Sequence, residues 1–251
     1  MSGAALVEGR GDEPVVLKAS LDLTLAQGWA TGAAMAARLR EGGYPASNYL
    51  ETGTTGDVTW SLQAVLPGRV PSMLTVGHAE QLVALACRHA IDSGESRPWD
   101  ELAREISWRA LAEVGPLPDG FEEILGGTLT ETRDLSLAQT TIVHHDFHHR
   151  NFLVEDGRVT GVFDWDIATA GDWRFDLACL AFVCQMYPKT CEPDALATVI
   201  TAVHEHCDAP TAAFLMACQV LRSLSQLGRG QPARVGSASR AMQATLLQWW
   251  I

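Results

Sequence analysis

The sequence lacks any apolar run close to the roughly 20 residues that a helix needs to cross a lipid bilayer. Its first residues, Met1 to Ala5, also lack the basic start and the apolar stretch of a secretory signal peptide. On these two absences we expect a cytoplasmic protein with no membrane partner.

Basic residues are few, because 18 lysines and arginines stand against 30 aspartates and glutamates, for a formal net charge of −12. This balance argues against a nucleic-acid partner, since nucleic-acid phosphates require a basic surface. It permits a cationic small molecule, which an acidic cleft would concentrate. Asp166 and Glu192 are the candidate acidic groups for such a cleft. The alternative is that the acidic surface only aids solubility.

Paired cysteine spacings that would indicate a metal site are also missing among the six cysteines, most of which lie in apolar stretches with helical periodicity. We therefore expect reduced thiols rather than disulfides. The sequence contains no internal repeat and no low-complexity tract. Its 251 residues are 47% hydrophobic, which is enough apolar material for the core of one large domain or of two lobes.

One stretch concentrates side chains that can do chemistry, and it runs from residue 141 to residue 166. The β-branched residues 141–143 predict a buried strand that delivers Asp146 into a loop. Asn151 opens a second strand, and Asp156-Gly157 predicts a tight hairpin turn that returns the chain to Asp164. Because paired strands lie within a few ångströms of each other, we expect Asn151 and Asp164 to be neighbours.

An Asp, an Asn and a second Asp in this arrangement suit phosphoryl transfer from a magnesium nucleotide. That reaction needs mainly positioning and charge neutralisation. We assign Asp146 to orient the acceptor hydroxyl and accept its proton. We assign Asn151 and Asp164 as oxygen ligands of Mg²⁺.

These residues resemble the aminoglycoside phosphotransferase and choline kinase-like family of the protein-kinase-like superfamily. His144, Asp146 and Asn151 match its His-x-Asp-x-x-x-x-Asn loop, and Asp164-Trp165-Asp166 matches its metal-binding element. The sequence Gly171-Asp-Trp-Arg-Phe-Asp-Leu-Ala178 matches its Gly-Asp-x-x-x-Asp-Leu-Ala motif. The resemblance implies a two-lobed α+β kinase-like fold, with an antiparallel-sheet nucleotide lobe over residues 1–66 and a mainly helical lobe over residues 67–251. It also implies ATP or GTP with Mg²⁺, and a hydroxylated small molecule as acceptor.

The resemblance further implies roles for individual residues. Lys18 corresponds to the lysine that contacts the α- and β-phosphates, and backbone groups near Gln63 to Leu66 correspond to the hinge that binds adenine. His144 belongs to the catalytic loop, and Asp176 braces that loop from the start of a helix. We assign His148, His149 and Arg150 to the acceptor or the phosphate side, and Asp166 to the acceptor pocket.

The chain departs from the family pattern in two places. The family's helix glutamate, which pairs with the lysine, falls here at Gly32-Ala33. Either another group such as Glu51 holds the lysine, or the helix has a different register. Only 17 residues precede Lys18, and Gly9-Arg-Gly11 is too short to serve as the phosphate-covering loop. Either the sequence is truncated at its N-terminus or its nucleotide lobe is shortened, and we expect the full-length protein to be longer at this end.

Periodicity places the remaining elements. Strands are expected at residues 47–51 and 58–66, with a turn at residues 54–57 between them. Helices are expected at residues 25–41, 75–93, 99–114, 121–125, 176–187, 193–206, 211–227 and 237–250.

Two other classes of protein remain open. The four histidines around Asp146, at positions 144, 145, 148 and 149, could hold a metal in a metal-dependent hydrolase. That alternative leaves Asp164 and Asp176 unexplained. A catalytically weak kinase-like binding protein would explain the missing glutamate and the missing phosphate loop, but not the intact Asp146, Asn151 and Asp164.

Overall fold

The computed structural model describes residues 2–8, 13–23, 25–97, 117–230 and 235–249. Gly9-Arg-Gly11 and the expected helix over residues 99–114 lie outside these residues. No helix in the described part of the chain is both long and apolar enough to span a bilayer.

The first lobe is a four-stranded antiparallel sheet in the order β1-β2-β4-β3. Its strands are β1 (Ser2–Glu8), β2 (Pro14–Ser20), β3 (Tyr49–Thr55) and β4 (Val58–Ala64). Between β2 and β3 the chain forms helix α1 (Leu25–Glu41), which packs against β3 and β4. Gly43, just after α1, has a φ of 73°, the left-handed conformation that often ends a helix.

The second lobe is mainly helical. Its helices are α2 (Val76–Cys87), α3 (Phe121–Glu131), α4 (Arg174–Met186), α5 (Pro193–His206), α6 (Ala209–Gly230) and α7 (Val235–Trp249). Helix α6 is its centre, because every residue from 211 to 221 is buried. A helix that is apolar all round requires neighbours on every side, and α3, α4, α5 and α7 all contact it.

The two-lobed α+β fold is therefore confirmed, and so are the bounds predicted for α1 and α5. Other helix bounds were wrong. Helix α6 covers Ala209–Gly230 rather than residues 211–227, and α7 begins at Val235 rather than at residue 237. Helix α3 continues to Glu131, six residues beyond the predicted end, and α4 begins at Arg174 rather than at Asp176. Helix α2 ends at Cys87 instead of at residue 93, because the following backbone leaves the helix: His89 O accepts from Ile142 N, and Ser93 N donates to Thr140 O.

Two small antiparallel pairs of strands flank the loops that contain Asp146 and Asp164. Strand β5 (Thr141–Val143) pairs with β8 (Thr169–Gly171), and β6 (Phe152–Glu155) pairs with β7 (Arg158–Val162). The predicted turn between β6 and β7 is confirmed, because Asp156 and Gly157 have φ values of 49° and 75°.

Candidate active site

The loop between β5 and β6 holds Asp146 beside three other polar groups. His148 Nε2 lies 3.3 Å from Asp146 Oδ1, and Arg222 Nη2 of α6 lies 3.8 Å from the same atom. Asn151 Nδ2 donates to Asp146 Oδ2 at 2.8 Å. Burial alone would raise the pKa of Asp146, but the hydrogen bond and charge of His148, with help from Arg222 and Asn151, lower it well below its usual range. Asp146 is therefore ionised at neutral pH.

Asn151 and Asp164 are brought together by the β6–β7 pair, as the sequence predicts. Asn151 O accepts from Phe163 N at 3.0 Å, so Asp164 follows directly. The side-chain nitrogen of Asn151 also donates to Asp146 O, which leaves its amide oxygen for another partner. Asp164 has a φ of 67°, a left-handed conformation that is uncommon outside glycine and that often occurs at functional sites. These amide and carboxylate oxygens are hard donors that fit Mg²⁺.

Lys18 on β2 reaches across from the sheet lobe to the same loop. Its Nζ atom donates to Asp164 Oδ1 at 2.7 Å and to Asp166 Oδ2 at 2.8 Å. The hydroxyl of Tyr49 on β3 donates to Asp166 Oδ1 at 3.0 Å. Burial would lower the pKa of Lys18, but the two carboxylates raise it above its usual value. Our suggestion that Glu51 pairs with the lysine was wrong, because Glu51 is exposed on β3 and both carboxylates come from the Asp164–Asp166 segment.

Helix α1 shows why no glutamate stands at position 32. A Cβ atom on Gly32 would lie 2.0 Å from Trp165 O, and one on Gly28 would lie 3.0 Å from Asp166 O. The two glycines are four residues apart and so share one helix face. The backbone of the Asp164–Asp166 segment occupies the space where a side chain on this face of the helix would lie. The segment supplies the lysine's carboxylates from that position instead.

Asp176 is fully buried in the first turn of α4 and contacts the start of the catalytic loop. Its carboxylate accepts from the backbone N–H groups of His144 and His145, at 2.8 and 2.9 Å. His89 Nδ1 lies 2.8 Å from the same carboxylate, and His89 Nε2 lies 2.7 Å from the hydroxyl of Tyr44. His145 has a φ of 69°. Asp176 therefore fixes the position of the backbone at His145, which has a left-handed conformation.

His144 is fully buried and does not face the reacting groups. Its Nε2 atom lies 2.9 Å from Phe163 O, and its Nδ1 atom accepts from Asp146 N at 3.3 Å. It thus links the loop of Asp146 to the segment of Asp164. This position is compatible with a bracing role for His144, and its role in catalysis stays a prediction.

A cavity of about 330 Å³ opens beside Asp146, and His148 and Arg150 lie in its wall, on the side where the sequence placed the acceptor. Three other assignments are corrected. His149 is 2% exposed and does not line the cavity, and Asp166 is held by Lys18 and Tyr49. Glu192 instead accepts from Val76 N at the start of α2, at 3.1 Å.

Gln63 and Leu66 lie at the junction of the lobes. Gln63 is buried in β4, and its Nε2 atom donates to Ser61 Oγ at 3.2 Å. Leu66 packs over Gly161 of β7, where an added Cβ would meet Leu66 Cδ1 at 2.7 Å. Adenine binding by this segment stays a prediction.

The histidines of the catalytic loop do not converge. His144 bonds Phe163 O, His145 Nε2 lies 2.7 Å from Thr169 Oγ1, and His148 contacts Asp146. Within the residues that the structure describes, no three His, Cys, Asp or Glu side chains form a group suited to a metal ion. This divergence disfavours the hydrolase alternative.

Sequence reasoning missed Tyr49, His89 and Arg222 at this site. None of them belongs to a motif, and each lies far along the chain from the loop it contacts. Gly28 and Gly32 carried a usable signal, because two glycines on one face of a helix favour close approach of another backbone.

Comparison with known proteins gives a family match. The model of the APH family, described as a phosphotransferase enzyme family, matches residues 9–214. A search of curated protein sequences found no match.

Three solved structures illustrate the similarity in fold at low sequence identity. Aminoglycoside phosphotransferase APH(4)-Ia superposes with a TM-score of 0.74 at 16% identity, over 100% of this chain and 90% of that chain. The amicoumacin kinase hAmiN, in complex with AMP-PNP, Ca²⁺ and Ami, has a TM-score of 0.68 at 13% identity, over 96% and 85%. Macrolide 2′-phosphotransferase MphH from Brachybacterium faecium has a TM-score of 0.62 at 18% identity, over 97% and 88%.

Proposed function

Because the chain belongs to the APH phosphotransferase family, we propose that it transfers the γ-phosphoryl group of ATP, or of GTP, to a hydroxyl of a small molecule. One observation carries this proposal. An unbroken series of contacts runs from Asp146 through Asn151 to the Asp164 segment, and from Asp164 to Lys18. Similar folds solved with AMP-PNP and an antibiotic support the same reaction class.

In this proposal each group has one task. Asp146 orients the acceptor hydroxyl and takes its proton. Its low pKa makes it a weak base, which suits a reaction in which the phosphoryl group is largely detached before the proton moves. Asn151 and Asp164 hold Mg²⁺, which neutralises phosphate charge when it is bound.

Lys18 contacts the nucleotide phosphates in this proposal, and Asp166 holds Lys18 in place. The support is geometric, since Asp166 receives both the lysine and the Tyr49 hydroxyl. Asp164 would hold Mg²⁺ when the ion is bound, and the Asp166–Tyr49 pair would keep the ammonium group of Lys18 oriented.

The proposal is tested by Asp146→Asn. We expect turnover to fall by about 10²- to 10⁴-fold, because a positioned proton acceptor contributes that much. Binding of the magnesium nucleotide should be retained. The measurement is phosphate transfer from ATP across a panel of hydroxylated antibiotics and metabolites, read by mass.

Asp156→Asn is the matched control, because it makes the same change in the exposed turn of the neighbouring hairpin. It should behave like the wild-type protein. If Asp146→Asn also retains wild-type turnover, Asp146 is not the proton acceptor. If the wild-type protein binds nucleotide but transfers phosphate to nothing, the binding-protein alternative is favoured.

A further inference from the structure

The cavity beside Asp146 has a local charge that differs from that of the whole chain. The chain carries a formal net charge of −12, yet Asp146 is the only carboxylate among the described residues that line the cavity. Asp146 already has His148 and Arg222 as neighbours, at 3.3 and 3.8 Å. Arg150 also lies in the wall, with its guanidinium carbon 5.2 Å from the ring centre of Tyr187.

The charged residues that line this cavity make it poorly suited to a ligand with several positive charges. An ammonium group that enters a cavity loses water and needs a carboxylate in exchange. The one carboxylate present is compensated by its neighbours, and Arg150 repels a second positive charge. Asp166 and Glu192, the acidic residues that the sequence suggested for this purpose, are engaged elsewhere.

Three helices contribute apolar side chains to the cavity, and we call this part of the lining the apolar wall: Phe182, Val183 and Met186 of α4, Leu227 of α6 and Met242 of α7. Ser223 and Gln226 of α6 also line the cavity and supply neutral polar groups. Apolar surface of this kind stabilises a ligand in proportion to the apolar area that the ligand buries, and methionine adapts its shape to irregular ligands. The volume of about 330 Å³ lies at the lower end of small-molecule sites.

On the premise of the phosphotransferase function above, we propose that the acceptor is an amphipathic alcohol. Its hydroxyl lies beside Asp146, its apolar body contacts the wall of α4, α6 and α7, and it carries no cluster of ammonium groups. Densely cationic amino sugars are therefore poor acceptors for this protein.

The test uses three probes that present the same sugar hydroxyls: methyl β-glucoside, hexyl β-glucoside and 6-aminohexyl β-glucoside. Hygromycin B serves as the polycationic amino-sugar probe. Binding to the full chain is measured by calorimetry, with and without Mg²⁺ and AMP-PNP. We expect hexyl β-glucoside to bind at least tenfold more tightly than methyl β-glucoside, since each buried methylene contributes about fourfold. We expect 6-aminohexyl β-glucoside to bind at least tenfold more weakly than hexyl β-glucoside.

Leu227→Glu supplies a carboxylate within the apolar wall, and it should reverse the preference between the hexyl and aminohexyl probes. Leu247→Glu is the matched control, because Leu247 is exposed on α7 and does not line the cavity. It should leave the preference unchanged.

The inference is overturned if hygromycin B or the aminohexyl probe binds as tightly as hexyl β-glucoside. It is also overturned if the hexyl chain adds nothing over the methyl group. Nucleotide binding, measured first in the same protein, reports on the phosphotransferase function separately, so the two proposals can fail independently.

Discussion

Asp166 is the residue whose position changes the interpretation of this site most. Its carboxylate receives Lys18 Nζ at 2.8 Å and the Tyr49 hydroxyl at 3.0 Å. Burial raises its pKa, while Lys18 opposes that shift. In our proposal Asp166 positions Lys18, and it takes the place of the family's helix glutamate.

We predict that Asp166→Asn lowers kcat/KM for ATP by about tenfold to a hundredfold, because a charge-assisted hydrogen bond that orients Lys18 is lost. Most of the effect should appear in KM for ATP, with KM for the acceptor unchanged. Tyr49→Phe should cost about twofold to tenfold, less than Asp166→Asn, because the Lys18–Asp166 ion pair is retained. Steady-state kinetics with ATP as the varied substrate measures both effects.

Asp57→Asn is the matched control, since it makes the same change in the exposed turn between β3 and β4. A general loss of stability in Asp166→Asn would reduce the fraction of active protein, so it would lower the apparent kcat and leave both KM values unchanged. That result, or an unchanged KM for ATP, would count against the positioning role.

At the level of elements, helix α1 and the Asp164–Asp166 segment are joined by close backbone contact. Gly32 is buried, and any side chain there would meet the backbone carbonyl of Trp165. Trp165 is itself fully buried between Tyr44, His89 and His144, so it has no room to move away. This contact fixes the Lys18-bearing lobe against the Asp164–Asp166 segment.

We predict that Gly32→Ala lowers the free energy of unfolding by about 1–3 kcal/mol, the usual cost of overpacking. The direction of the change in the free energy of unfolding is informative, because Gly→Ala inside a helix otherwise raises it by about 1 kcal/mol. Urea unfolding measures it. Gly77→Ala in α2 is the control, since a Cβ there meets nothing within 4 Å. A neutral or stabilising Gly32→Ala would contradict the close contact.

For the whole molecule, buried neutral histidines determine how stability depends on pH. Burial, and then the charge of Arg222, lowers the pKa of His145 to about 3, and burial lowers that of His149 to about 4. Both values lie below 6.5, the ordinary value. Above pH 6.5 these groups are neutral in both states. Below it the unfolded chain binds protons that the folded chain does not, so stability falls.

We predict that the free energy of unfolding declines as pH drops from 6.5 towards 4, by up to about 1.4 kcal/mol per pH unit for each such histidine. Asp146 and Asp176 have lowered pKa values, so their contribution is lost only below 3.8. His145→Asn removes one titrating group and tolerates the left-handed φ. Urea unfolding at several pH values should show a shallower slope in this variant, and equal slopes would refute the prediction.

The sequence by itself determined the features that depend on neighbouring residues. Helices α1 and α5 follow from apolar spacing within one segment, and the β6–β7 hairpin follows from Asp156-Gly157. The proximity of Asn151 to Asp164 follows from that hairpin. These features could be predicted because the interactions that fix them are local in the chain.

Only the tertiary structure decided which charges meet. Lys18 and its two carboxylates are 146 and 148 positions apart, and no motif relates β2 to the segment after β7. The same holds for Glu192 at the start of α2 and for the composition of the cavity beside Asp146. A charged side chain interacts most strongly with the groups that tertiary packing brings within about 4 Å. Neither the net charge nor the spacing of residues along the chain determines which groups those are.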